Sequence, residues 1–143
     1  NRGAFEAGAR SIGLNVTLPH EQEPNPFISP ELAFRFRYFA LRKMHFLLRA
    51  RALVAFPGGY GTLDELFEVL TLVQTGKMAR IPIVLVGTEF WRRVIDFGYL
   101  WEEGFVSEVD LQCFTYADTA EEIITVLETF YGSRPPPETG PVE

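Results

Sequence analysis

Phe56-Pro57-Gly58-Gly59-Tyr60-Gly61-Thr62-Leu63-Asp64-Glu65 joins two contrasting patterns near the middle of the chain. An apolar run, Ala52-Leu53-Val54-Ala55-Phe56, leads in, and an amphipathic run from Leu66 to Val73 leads out. The pattern predicts a strand, a glycine turn and a helix. Three glycines in four positions let the backbone take unusual conformations and let a ligand approach bare N–H groups. The start of the helix adds unpaired donors and a partial positive charge at the same point. These features suit a phosphate. Spacing alone does not separate that reading from an ordinary glycine-rich connection. Thr62 and Glu65 also fit a capping box, with Thr62 as N-cap and Glu65 at N3.

A second apolar run, Ile81-Pro82-Ile83-Val84-Leu85-Val86, follows. Runs that are apolar on both faces suit central parallel strands covered by helices. Pro82 is tolerable near the start of its strand. The helix between the two runs is predicted over residues 62–75, with Leu63, Leu66, Phe67, Leu70 and Val73 as its buried stripe. Gly76 is its stop signal. Strand, helix and strand in this spacing form a right-handed βαβ unit. Ligands of such sheets bind at the carboxyl ends of the strands, where Gly58–Gly61 falls.

Upstream, residues 33–39 alternate, with Phe34, Phe36 and Tyr38 on one side, and predict a strand. From Ala40 the period changes: Leu41, Met44, Leu48 and Ala52 share one helical face. Arg42, Lys43, His45, Arg49 and Arg51 fill the rest, the one concentrated basic region of an acidic chain. They form either a solvated face of snorkelling side chains or a source of cations for an anionic ligand. Residues 14–18 read as a strand, and residues 4–10 as a helix that Gly13 stops. Residues 20–30 carry three prolines and form a long loop, in which His20 is an exposed histidine.

Downstream, residues 89–100 predict a helix with Phe90, Val94, Phe97 and Leu100 apolar. Trp91 and Trp101 read as packing or interface residues. Gly104-Phe105-Val106 is a turn, and Cys113-Phe114-Thr115-Tyr116 a last short strand. Asp118 or Thr119 caps the final helix, whose first turn holds Glu121 and Glu122. Its inner face is Ile123, Val126, Leu127 and Phe130, and Gly132 ends it. The expected architecture is α/β, a Rossmann-like doubly wound parallel sheet with helices on both faces. Residues 1–131 form one nucleotide-binding domain, and residues 132–143 a disordered proline-rich tail.

The length of 143 residues fits a single domain. The net charge of −6 argues against nucleic acid as a partner, because that binding runs on Lys and Arg. No apolar run is long enough to span a bilayer, so no membrane partner is expected. Cys113 is the lone cysteine. It excludes an intramolecular disulfide and suits a reducing cytoplasmic setting, and it reads as a small buried apolar residue. No Gly-Lys-Ser/Thr follows the glycine turn, as a nucleoside-triphosphate loop requires, and the full G-x-G-x-x-G dinucleotide pattern is missing. No zinc-ligand spacing and no serine nucleophile elbow occur, and no metal or cofactor is expected. Asp64, Glu65 and Glu68 lie in the first turns of the glycine-turn helix, Glu65 and Glu68 sharing a face. A bound phosphate repels carboxylates. Those aimed at one serve either the helix dipole or acid–base work on the rest of the ligand.

Pro57-Gly58-Gly59-Tyr60-Gly61-Thr62-Leu63-Asp64-Glu65 resembles the P-G-G-x-G-T-x-x-E signature of the LOG ("Lonely Guy") family, and Arg42-Lys43 stands at the spacing of that family's Arg-Lys pair. The resemblance continues through Glu68, Leu72, Gln74 and Gly76 and through Glu103-Gly104-Phe105, over about residues 1–131. Residues 34–39 look more like the longer bacterial branch than the short plant enzymes. The resemblance implies hydrolysis of the N-glycosidic bond of a nucleoside 5′-monophosphate, giving free base and ribose 5-phosphate. It implies that Gly58, Gly59, Gly61 and Thr62 hold the phosphate, that Arg42 and Glu65 are the catalytic pair, and that Lys43 and Glu68 line the site. It also implies a homodimer with sites near the interface. The family has often been labelled lysine decarboxylase, yet no lysine here has the context of a pyridoxal phosphate Schiff base. Its second glycine-rich segment, G-G-G-x-x-G-x-M, belongs just before Asn1. The chain also opens without Met, so it reads as N-terminally incomplete, with its own activity in question. The competing reading is a nucleotide-binding module of Rossmann-like type without catalysis. Retention of both Arg42 and Glu65 favours the enzyme.

Overall fold

The computed structural model describes residues 1–17 and 25–132. His20 and the tail after Gly132 lie outside the described residues. The chain divides into two compact units, Asn1–Arg49 and Ala50–Glu143.

The first unit runs α1 (Arg2–Glu6), β1 (Gly13–Val16), a 3-10 turn (Pro30–Leu32), β2 (Ala33–Phe36) and α2 (Phe39–Leu48). β1 and β2 pair in parallel, with Gly13 opposite Ala33 and Val16 opposite Phe36. α1 ends earlier than its sequence pattern predicts. Gly8, at φ 70°, supplies the left-handed residue beyond its end. Gly13 instead belongs to β1, where a Cβ would come within 3.0 Å of Cγ1 of the buried Ile28. Tyr38 leaves the strand to become the extended N-cap residue of α2.

The expected inner face of α2 is not buried. Leu41, Met44 and Leu48 are all exposed, and Ala52 lies beyond the helix. The face that meets the unit's strands runs through Arg42, whose Nε donates to the Leu14 carbonyl, and His45, whose ring is 5.2 Å from that of Phe36. That face is roughly a quarter turn from the leucine stripe.

The second unit runs β3 (Leu53–Ala55), α3 (Tyr60–Gln74), β4 (Ile83–Val86), α4 (Thr88–Val94), α5 (Phe97–Glu102), a 3-10 turn (Asp110–Cys113), β5 (Thr115–Ala117) and α6 (Ala120–Tyr131). Its sheet has the order β3-β4-β5, all parallel. Ile83, Val84, Leu85 and Val86 are all buried, so both faces of β4 are covered, as its unbroken apolar run predicts. Val54, Val84, Val86 and Ala117 pack with Ile123 and Val126 of α6 on one face. Leu66, Val69 and Val73 are the buried residues of α3. Phe67, expected inside, is exposed and instead meets the ring of Phe97 at 6.4 Å.

The single helix expected over residues 89–100 is two. Asp96 breaks it by acting as N-cap of α5, its Oδ1 accepting from the Tyr99 N–H at 2.9 Å. Trp91 is completely buried and donates its indole N–H to the Val86 carbonyl at 3.0 Å, a packing role. Of the two candidate caps for α6, Thr119 takes the role in a capping box with Glu122. Gly76, Gly104 and Gly132 take positive φ at the turns where each was expected. The last strand starts later than predicted: Cys113 ends the 3-10 turn and is half-buried. Among the described residues no helix is long and apolar enough to cross a membrane.

Candidate nucleotide phosphate site

The glycine turn joins the carboxyl end of β3 to the start of α3. Each of its glycines answers to a different requirement. A Cβ on Gly58 would collide with Oγ1 of Thr62 and come within 2.9 Å of its Cβ, so Gly58 lets Thr62 fold back over the turn. Gly59 and Gly61 have no atom within 4 Å of where a Cβ would stand, and neither has a positive φ. Among the described residues, neither packing nor backbone conformation demands glycine at those two positions. What their bareness provides is open access to the backbone, as close approach of a ligand requires.

α3 starts at Tyr60, two residues before the predicted start, with Gly59 as N-cap and no side-chain cap hydrogen bond. This corrects the capping box expected from Thr62 and Glu65: Thr62 is the third helical residue, already inside the first turn. The Gly59 carbonyl takes the N–H groups of Thr62 at 3.0 Å and Leu63 at 3.1 Å. Helix geometry gives the N–H groups of Tyr60 and Gly61 no intrahelical acceptor. A glycine N-cap brings no side-chain oxygen to them either, so the helix start offers donors and partial positive charge to an external anion.

The exits of β4 and β5 lie beside the turn and are bonded to each other. Gly87, just after β4, has φ 89°, and a Cβ there would stand 3.2 Å from Cγ of Pro57. Its N–H donates to the Ala117 carbonyl of β5 at 2.9 Å. Asp118, the next residue on β5's side, accepts from the N–H and the hydroxyl of Thr88, both at 2.8 Å. The Thr88 N–H, followed by its hydroxyl, holds the Asp118 carboxyl below the usual range. Sequence reasoning missed these contacts. The available signal was a glycine directly after an unbroken apolar strand, Val86-Gly87.

On α3, Glu65 and Glu68 are half-buried and Asp64 is exposed. Arg42 and Lys43 belong to the first unit and are half-buried there; Gly58, Gly59, Gly61, Thr62, Glu65 and Glu68 belong to the second. Arg42 is not a loose surface cation, since its Nε is anchored on the Leu14 carbonyl at 2.9 Å. Among the described residues, no group of His, Cys, Asp and Glu is arranged to hold a metal. A cavity of about 150 Å³ opens beside Phe67, Gln74, Phe97, Leu111 and Phe114. It reaches the far end of α3 from the glycine turn.

A family model described as "Possible lysine decarboxylase" matches residues 1–127. The chain belongs to this family, the LOG family. It is 35% identical over 91 residues to the cytokinin riboside 5′-monophosphate phosphoribohydrolase LOG3 of Arabidopsis thaliana, covering 62% of this chain and 42% of that protein. It is 36% identical over 91 residues to LOG4 of the same plant, with the same coverage. Against the LOG protein of Oryza sativa subsp. japonica it is 36% identical over 91 residues, 62% of this chain and 37% of that one. The match spans less than half the length of these curated relatives. The residues that resemble the LOG signature thus lie at the start of α3, which has no side-chain cap, and Arg42-Lys43 lie in α2.

Proposed function

We propose that this LOG-family protein hydrolyses the N-glycosidic bond of a nucleoside 5′-monophosphate, releasing free base and ribose 5-phosphate. The observation that carries the reading is the start of α3, where Gly59 and Gly61 stand open with no neighbour among the described residues that requires it. Gly58, Gly59, Gly61 and Thr62 bind the 5′-phosphate in this reading. The names of the LOG relatives support the reaction class.

Departure of the base leaves an oxocarbenium-like ribose, as in glycoside hydrolysis. Glu65 stabilises that cation or activates the attacking water. A guanidinium is a poor proton donor, so Arg42 serves to orient the substrate or to stabilise charge growing on the leaving base. Lys43 and Glu68 line the site. The protein acts as a homodimer in the cytoplasm, a reading supported by the family resemblance and by its single cysteine.

A lysine decarboxylase reading finds less support. The glycine turn suits a nucleotide phosphate, and neither Lys43 nor Lys77 has the context of a pyridoxal phosphate Schiff base.

The test is incubation of the full-length protein with AMP, GMP, CMP, UMP and N6-isopentenyl AMP, and with the matching nucleosides. Free base and ribose 5-phosphate are read by chromatography. Release from monophosphates but not from nucleosides is the expected result, and the rates rank the bases. Binding without release from any of them would replace the hydrolase with a nucleotide-binding module.

A further inference from the structure

We infer that Gly87 is a positioning residue for the phosphate-binding turn: its bare Cα lets the Pro57 ring rest against the exit of β4, and that contact sets where Gly58–Gly61 presents its N–H groups. The inference rests on the phosphate site proposed above and adds a residue outside the family signature.

A Cβ on Gly87 would stand 3.2 Å from Pro57 Cγ, 3.8 Å from Pro57 Cδ and 3.9 Å from the Cβ of Phe90. The closest neighbour is a ring, which cannot swing aside as a long side chain does. One of the two partners has to shift, and Gly87 is the better fixed. Its N–H is bonded to Ala117, its carbonyl accepts from the Trp91 N–H at 3.2 Å, and the Val86 carbonyl before it accepts from the buried Trp91 indole. The displacement therefore enters Pro57 and passes directly to Gly58. Gly58 has no slack toward α3, because Thr62 already lies against it. The turn must move as a piece, carrying its donors away from the phosphate.

The experiment uses Gly87→Asn in the full-length protein, since Asn tolerates the left-handed region better than other non-glycine residues. Ribose 5-phosphate affinity is measured by calorimetry, KM and kcat with the best nucleotide, and the melting temperature alongside. The expected result is about a tenfold loss of ribose 5-phosphate affinity and a similar rise in KM, with a smaller change in kcat. Adding Pro57→Ala removes the ring atoms that the new Cβ meets. Gly87→Asn should then cost less than about threefold relative to Pro57→Ala alone. An equal penalty in both backgrounds overturns the inference, because backbone strain at residue 87 does not depend on the proline ring. Wild-type affinity in a folded Gly87→Asn protein also overturns it. If Gly87→Asn does not fold, Pro57→Ala alone decides: weakened ribose 5-phosphate binding at an unchanged melting temperature supports the contact, and unchanged affinity overturns it. A wild type that binds ribose 5-phosphate but cleaves no nucleotide overturns the hydrolase reading alone, and the affinities still decide this one.

Discussion

The Thr62 side chain occupies the place where a side chain on Gly58 would have to go. A Cβ on Gly58 would collide with Thr62 Oγ1 and approach Thr62 Cβ to 2.9 Å. Thr62 is β-branched and stiff, so it cannot easily turn away. Gly58→Ala is expected to cost about 1–3 kcal/mol of stability through this overlap, together with phosphate affinity. Gly61→Ala meets nothing. It should leave stability unchanged or raise it by up to about 1 kcal/mol, since alanine is the better helix former. It should nevertheless weaken ribose 5-phosphate binding. Urea unfolding beside calorimetry separates the two. Equal stability losses for both variants would contradict the division of labour among the glycines.

Arg42→Ala and Glu65→Gln are each expected to lower the rate of base release by about 10²–10⁴-fold. Arg42→Lys should not recover it. Lysine keeps the charge but not the planar fork that reaches the Leu14 carbonyl through Nε. Steady-state rates, with circular dichroism to confirm folding, provide the check. Full activity in both Arg42→Ala and Glu65→Gln would remove them from the mechanism.

Two carboxylates should shape the acid limb of stability. The Ser107 N–H, then the Gln74 amide and the Ser107 hydroxyl, hold Asp110 below its ordinary value of 3.8, and Thr88 does the same for Asp118. A depressed folded-state pKa stabilises the protein where the carboxylate is charged in both states. That contribution is complete above 3.8 and is lost as pH falls through the lower folded values. Asp110→Asn and Asp118→Asn should therefore flatten the decline of melting temperature as pH falls below the ordinary carboxylate value, while lowering stability at neutral pH. An unchanged acid limb in both variants would show that these bonds do not persist in solution.

Trp91 is the test of the second unit's core. It is completely buried, with its indole N–H on the Val86 carbonyl. Trp91→Ala should destabilise by about 3–5 kcal/mol. Trp91→Phe keeps most of the apolar volume but leaves that carbonyl unpaired, for about 1–3 kcal/mol. Chemical denaturation gives both values. A negligible loss in Trp91→Phe would mean that the hydrogen bond contributes nothing.

Much of the fold was legible because it depends on local pattern. The apolar runs of β3 and β4, the glycine stops at Gly76 and Gly132 and the cap at Thr119 are each written in a few adjacent residues, and each is found in place. The errors fall where one particular hydrogen bond or packing contact outweighs the periodic pattern. Residues 89–100 carry one helical period, yet the Asp96 carboxylate takes the Tyr99 N–H and starts a new helix. The leucine stripe of α2 has the right spacing for burial, but β1 and β2 meet the neighbouring face through Arg42 and His45. Gly13 looked like a helix stop because nothing in the local sequence announces the buried Ile28 across from it.

The α/β class, the strand–turn–helix at Gly58–Gly61 and the family could all be read from the amino-acid sequence, because all three rest on residue type and spacing along the chain. Where α3 begins, which glycine is packed against a neighbour and which stands open, and what lies beside the turn emerge only from the folded chain. Those depend on which atoms meet across the folded chain. Thr62 against Gly58, and Pro57 against Gly87, are neighbours in space whose contact no local periodicity encodes.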